Sequence, residues 1–362
     1  MVRVIGHVDL DYFYAQVEEV QSPSIKGRPV LVCVFSGRTE DSGVVSTANY
    51  EARRLGIGSG MPIVLAKKKM KGVAGAVIPM HRERYEAVSE EIMRLVGGRV
   101  DVLEQTGIDE AFFDITKSSN GDYSAARNTA AGIKAVILKS QGLTASIGLG
   151  RSKIVAKMAS DFVKPDGLTV VTPDSTTDFL TPLPVIRLYG VGPKTSQALE
   201  ELKIHTIGDL ATSDITDLEP RFGRKVSAYL LQAAKGEDED PVTERQETTQ
   251  FSRIITLKQN TKDANAAFKE LLPAIEELHQ RLLSKGISFR TLSTIGILTD
   301  LSTRTKTKTF ESPAESLLAR KNEILTLLQE LTGTIDKELR RVGIRVSGLS
   351  DTESQTSLTQ FY

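Results

Sequence analysis

Carboxylates are the first sign of chemistry in this chain. An apolar run, "VRVIGHV" (2–8), delivers Asp9 and then Asp11, and Tyr12, Phe13 and Tyr14 follow at once. Far along the chain, "TGIDEAFFD" (106–114) supplies Asp109 and Glu110 as neighbours. In a regular strand, adjacent acids point to opposite faces; at a turn, which Gly107 permits, both can face one point. Three hard carboxylates suit Mg²⁺, which prefers oxygen ligands and keeps waters and substrate phosphates. Two such ions about 3.5–4 Å apart activate an attacking oxygen and steady a leaving one. Polymerases, nucleases and cyclases share that need, so the acids alone leave the reaction open. Asp11, ahead of a helical pattern in "DYFYAQVEEV", reads as that helix's N-cap.

The elements that must position these groups follow from the pattern. Residues 2–8 and 29–35 read as buried strands, continuous and β-branched. "SGRTEDSG" (36–43) reads as a loop, and "STANYEARRLG" as a helix closed by Gly56. Residues 82–96 form an amphipathic helix, 100–116 two strands around a turn, and "TASIGLG" a further strand. This alternation predicts an α/β or α+β first domain ending near 165, where "KPDG" breaks the pattern. Short helices joined by Gly and Pro turns then run to 235. "KGEDEDPVTERQ" (235–246) reads as a linker, and strand-helix-strand-strand-helix-strand follows. The last dozen residues are polar until a final aromatic pair.

Composition sets the outer limits. At 362 residues, with 40% hydrophobic and 25% charged, the chain suits two to four domains of a soluble protein. No apolar run approaches the ~20 residues of a membrane span, and residues 1–10 lack a secretory pattern. The single cysteine, Cys33, lies in an apolar run and reads as a buried small hydrophobe. A reducing, cytoplasmic setting and a monomer are expected. Lys+Arg and Asp+Glu are equal at 46, so charge distribution rather than net charge must speak for nucleic acid.

"VDLDYFYAQVEEV", "VCVFSGRTEDSGVVSTANYEAR", "GIDEAFFDIT" and "KPDG", in this order, resemble the Y-family translesion DNA polymerases, and most closely their archaeal DinB branch. The resemblance implies an α+β multidomain, right-hand fold. Its parts would be a palm (1–36 and 77–165), small fingers (37–76), a helical thumb (166–234), a linker (235–242), a βαββαβ little finger (243–346) and a tail (347–362). It implies template-directed addition of deoxynucleotides past damaged bases by two-metal-ion transfer, with no segment left over for proofreading. Carried across by position, Asp9, Asp109 and Glu110 would be the catalytic acids and hold two Mg²⁺ ions, assisted by the Leu10 carbonyl. Tyr14 matches the steric gate beneath the sugar, and Thr47, Tyr50, Arg53 and Lys164 match the triphosphate positions. Gly107 stands where the family usually has serine. Val44 stands where archaeal relatives often have alanine, over the nascent base pair.

The DNA partner would be held at several places. "LYGVGPKTSQALEEL" (188–202) resembles a helix-hairpin-helix, whose Gly190 and Gly192 let backbone approach a phosphate while Lys194 adds a cation. Residues 243–346 hold 17 basic and 13 acidic residues, a net +4 that the neutral total hides. "RTKTKT" would place Arg304, Lys306 and Lys308 on one strand face, and Arg340 and Arg341 lie in "RRVGIR". "KKKMK" (67–71) reads as a solvated helix face. In the tail, Gln355, Leu358, Phe361 and Tyr362 resemble the peptide that binds a PCNA-type sliding clamp.

Overall fold

The computed structural model describes residues 1–244 and 249–351. They fall into two compact units: one gathers Met1–Cys33, Val45–Met61 and the chain from Leu65 into the linker; the other takes Val34–Val44, Pro62–Val64 and the C-terminal domain.

In chain order come β1 (Ile5–Leu10), α1 (Phe13–Gln21), β2 (Val30–Phe35), β3 (Gly43–Ala48), α2 (Tyr50–Arg54), α3 (Ile63–Lys69) and β4 (Ala76–Pro79). After them come α4 (Arg82–Gly97), β5 (Val102–Gln105), β6 (Glu110–Asp114), α5 (Tyr123–Gln141), β7 (Ala145–Gly150), α6 (Lys153–Phe162) and β8 (Leu168–Val170). The apolar run 2–8 predicts a strand; β1 starts later and reaches past it, so Asp9 is inside the strand and Asp11 outside. β1 sits at the centre of a sheet ordered β5-β6-β1-β7-β8, antiparallel to both of its neighbours. Phe13, Tyr85, Ile92, Ile133 and Ile137 from the helices bury against Val8 and Phe113 of this sheet. Each large apolar side chain so buried contributes about 1.5–3 kcal/mol.

α6 lies closer to the sheet than an ordinary helix. A Cβ on Gly148 would stand 2.2 Å from both Ala156 O and Ser160 N, so only glycine lets the helix backbone rest on β7. That approach carries Lys157 and Ser160 over the strand that bears Asp9.

Beyond β8, α7 (Thr176–Leu180), α8 (Pro193–Glu201), α9 (Ile207–Ala211), α10 (Ile215–Phe222) and α11 (Arg224–Ala234) pack around Leu199, Ile207, Leu210, Leu218 and Leu230. The charged segment after α11 is less free than its composition predicts. Arg3 donates to the carbonyls of Asp238 (2.9 Å) and Asp240, Thr243 N–H donates to Glu104 Oε2 (2.9 Å), and Val242 is buried with Ile5, Phe112 and Ala156.

The C-terminal domain is β9 (Gln250–Thr261), α12 (Ala264–Ser284), β10 (Ile287–Leu298), β11 (Thr303–Ala314), α13 (Lys321–Thr332) and β12 (Leu339–Asp351), in the order the pattern predicts. Its antiparallel sheet runs β11-β10-β12-β9. Leu292, Val342, Ile344 and Val346 pack with Leu271, Leu278, Leu328 and Leu331 of the helices, so one face of the sheet is covered. In the same unit Arg38 donates to Leu257 O, to Asn260 Oδ1 (2.7 Å) and to Arg340 O (3.2 Å). Among the described residues, no helix is long and apolar enough to cross a membrane.

Candidate active site

Strand pairing brings the two acid segments together. Asp9 faces Glu110 in register, and Leu10 N–H donates to Asp109 O at 2.8 Å. Above this junction is a cavity of about 290 Å³, lined by Asp9, Leu10, Tyr14, Thr47, Tyr50, Arg53, Asp109 and Lys164, together with Tyr12, Phe13, Ser46, Ser59 and Ile108. Eight residues singled out in the sequence thus meet at one place. Glu110 stands beside them: Lys157 Nζ lies 2.6 Å from Glu110 Oε2 and 3.3 Å from Asp9 Oδ2. Lys164 Nζ lies 2.7 Å from Asp9 Oδ1 and 2.8 Å from Asp161 Oδ1.

The electrostatics divide the acids. Burial, then the charges of Asp9 and Glu110, push the Asp109 carboxyl up to about 6. Glu110 is pulled down to about 2, first by His7 and, against the effect of burial, by Lys157. His7 is fully buried, and desolvation keeps its pKa below the ordinary value; its Nδ1 lies 2.8 Å from Ser160 Oγ and its Nε2 3.5 Å from Glu110 Oε2. Burial alone would lower both lysines, but the hydrogen bond that Lys157 donates to Glu110 holds it above its usual value, and the Asp9 charge does so for Lys164.

Among the described residues, no three acids, histidines or cysteines form a ready-made metal cage. Asp9 and Glu110 are instead tied to ammonium groups. With Asp109, their chemistry fits a hard divalent cation. All three present only oxygen, Lys157 already bridges Asp9 and Glu110 with positive charge, and a further cation would relieve the repulsion that raises Asp109.

α1 and α2 set the walls. The Tyr14 ring stacks on Tyr85, with centroids 4.5 Å apart and planes at 19°, and Tyr85 OH donates to Glu18 Oε1 at 2.7 Å. Asn49 caps α2 by accepting from Ala52 N–H, and its amide donates to Glu19 Oε1 (2.7 Å), which ties α2 to α1. Arg53 lies over the Tyr50 ring, with its Nε donating to Ala48 O at 2.9 Å.

Several expectations need correction. Asp11 does not cap α1: Tyr12 takes the N-cap position, at φ +36°, with no side-chain bond. The Asp11 carboxylate turns inward, because Thr144, Ser146 and Asp166 offer it three donors. Gly107 does sit in the turn before β6, its N–H donating to Glu110 O at 3.1 Å, but without a left-handed backbone; it supplies room, as a Cβ there would come 3.0 Å from Glu110 Cγ. Val44 is 42% exposed and falls in the second unit. Lys157, His7 and Asp161 escaped the sequence reading. The available signal was Lys157 within the apolar run of α6, one turn after Ile154 and beside Met158.

The nucleic-acid candidates are divided between the two units. Gly190 adopts φ +89° with a Cβ position only 2.7 Å from Tyr229 Oη, and Gly192 opens α8 ahead of exposed Lys194. Arg304, Lys306 and Lys308 do share a strand face, opposite Gly296, Thr294 and Leu292. That is the helix-covered face, reached by solvent only because β11 is an edge strand. The open face carries the threonines instead: Thr291 and Thr309 lie 3.3 Å apart, Ser293 and Thr307 3.0 Å. Arg341 and Arg345, opposite Ile297 and Ser293, join that face. Arg345 is the third cation of "RRVGIR". Gln355, Leu358, Phe361 and Tyr362 lie outside the described residues.

Residues 8–161 match the impB/mucB/samB family and 248–358 its C-terminal domain; 186–238 match a thumb domain described from DNA polymerase-iota. A DNA polymerase IV of Nitrosopumilus maritimus is 39% identical, covering 99% of each chain, and one of Methanosarcina acetivorans 41% identical over the whole of both. Among solved structures, a Y-family chimera, Dbh-Dpo4(243-245)-Dbh, superposes with TM-score 0.90 at 35% identity, covering 96% of this chain and 99% of that one. An insertion ternary complex of Dbh DNA polymerase superposes at 0.70 with the same identity and coverage. A central sheet carrying paired acids, a helical thumb and a β-rich C-terminal domain thus define a DNA-directed DNA polymerase. The chain belongs to the Y-family, in its DinB or DNA polymerase IV branch.

Proposed function

We propose that this chain adds deoxynucleotides to a primer 3′ end opposite and past damaged template bases, by two-metal-ion transfer and without proofreading. One observation carries the reading: oxygen ligands, a rigid aromatic floor and a cluster of phosphate-binding types line a single cavity. Asp9, Asp109, Glu110 and the Leu10 carbonyl would hold two Mg²⁺ ions, which when bound activate the primer hydroxyl and stabilise the leaving group. Arg53 offers a planar fork to phosphate oxygens, Lys164 a point charge, and Thr47 and Tyr50 neutral donors. The several negative charges of a triphosphate would compete for Lys164 with the Asp9 and Asp161 carboxylates it now pairs with. Tyr14 would lie under the sugar. A nuclease or cyclase reading uses the acids but gives that floor no task. Extension of a primer-template by single deoxynucleotides with Mg²⁺ separates the three readings. Degradation alone favours a nuclease, and a gel shift without chemistry a DNA-binding protein. A mispaired primer end should be left or extended, never trimmed.

The +4 domain is read as a backbone grip. Arg304, Lys306 and Lys308 at the sheet edge, with Arg340, Arg341 and Arg345, would contact phosphates without reading sequence. Gly190, Gly192 and Lys194 would do the same from the thumb, at the start of α8. Log affinity for primer-template should fall with log salt at a slope of about −0.9 per phosphate contacted, and Arg341→Ala should flatten it by roughly one. A slope equal in both proteins removes Arg341 from the grip.

The tail would recruit a PCNA-type clamp, through Gln355, Leu358, Phe361 and Tyr362. Deleting 355–362 should leave unassisted extension intact and abolish clamp stimulation. Equal stimulation of both forms would contradict this.

A further inference from the structure

Asp11 is 1% exposed, and its carboxylate joins three segments that lie far apart in the chain. Oδ1 accepts from Ser146 Oγ at 2.7 Å; Oδ2 accepts from Thr144 Oγ1 and from Asp166 N–H, both at 2.8 Å. Ser146 reinforces the link, since its Oγ also accepts from Gly167 N–H at 3.3 Å. Asp166 sits at φ +58°, a conformation that L-residues rarely adopt, so its turn needs outside support. From the other side Lys134 pairs with Asp166 Oδ1 at 2.9 Å. Two residues before Asp166 stands Lys164, whose ammonium reaches the cavity.

We propose that Asp11 is a positioning residue for nucleotide binding, holding the turn that aims Lys164 at the triphosphate. The inference rests on the reading of Lys164 as a phosphate ligand. A carboxylate suits the task because all its partners donate, and the Asp166 N–H, unlike a hydroxyl, cannot reverse its role. Hydrogen bonds to an ionised acceptor are about twice as strong as neutral ones. The elbow at Asp11 also starts the helix that carries Tyr14, so one side chain sets the Lys164 turn relative to the sugar floor.

The test is a double-mutant cycle on the full chain. Asp11→Asn keeps the shape and one acceptor, so the fold is retained while the turn loosens. It should raise the KM for dNTP by about tenfold, with kcat within about twofold and primer-template affinity unchanged. Combined with Lys164→Ala it should add nothing further, and amide exchange should quicken at Asp166 and Gly167 but not in β1 or β6. Multiplicative effects would place the action of Asp11 elsewhere and overturn the inference. An unchanged KM in Asp11→Asn, where Lys164→Ala raises it, overturns the inference and leaves the triphosphate reading standing. An unchanged KM in Lys164→Ala overturns that reading itself. Exchange at Asp166 and Gly167 then decides alone whether Asp11 holds the turn: unaltered rates refute it.

Discussion

Alanine in place of Asp109 should lower the rate of primer extension by at least about 10³-fold, roughly 4 kcal/mol of transition-state stabilisation, while primer-template binding persists. Asp109 lines the cavity, and no neighbouring carboxylate is free to replace it, because Lys157 bridges Asp9 and Glu110. Extension that survives the substitution would remove the assignment. The same carboxylate should also cost stability when no cation offsets it. Its pKa is about 6 in the folded chain against 3.8 in the reference state, so below 3.8 both states hold the proton and no penalty exists. As pH rises toward 6, the unfolded chain releases the proton and the folded chain keeps it, so stability falls; above 6 the full penalty is present. A rise from 3.8 to about 6 corresponds to about 3 kcal/mol, which partial solvent access reduces to roughly 1–2 kcal/mol. Asp109→Asn should therefore be more stable than the parent at pH 8 in chelator and no more stable at pH 4, measured by denaturant unfolding. Equal curves at both values would show that the site imposes no such strain.

How far the sequence foretold this site depends on the kind of contact involved. Asp9, Tyr14, Tyr50 and Arg53 were legible because they lie in long motifs, and the β-α-β-β-α-β domain because hydrophobic period reports element type. Period also put Arg304, Lys306 and Lys308 on one face. It cannot say which face, since that depends on pairing with Leu292 and Gly296 in a strand several residues away. Asp11 shows the same limit at short range. Its position ahead of a helix made capping the local expectation, and three donors from distant segments outbid the helix's own N–H groups. Lys157 and His7 became visible only with α6 in place, and that placement rests on the missing side chain of Gly148, a consequence of packing that no periodicity expresses.

The second large effect concerns the sugar. Tyr14→Ala should raise ribonucleotide use relative to deoxynucleotide use by about 10²–10³-fold, equivalent to roughly 3–4 kcal/mol of lost discrimination. Exclusion by a clash works only if the ring cannot move aside. Here Tyr14 stacks on fully buried Tyr85, which bonds to Glu18, itself held by Arg84 Nη1 at 3.0 Å. The stack leaves the ring no space to retreat into the core. Rejection of the 2′-hydroxyl would therefore belong to the ring, and Tyr14→Phe should keep it. Tyr85→Ala, which removes the backing without touching Tyr14, should relax selectivity part of the way. Competition between dNTP and rNTP in single-nucleotide insertion measures all three variants. Unaltered selectivity in Tyr14→Ala retires the gate, and unaltered selectivity in Tyr85→Ala alone would mean the ring is held in place by α1 rather than by its stacking partner.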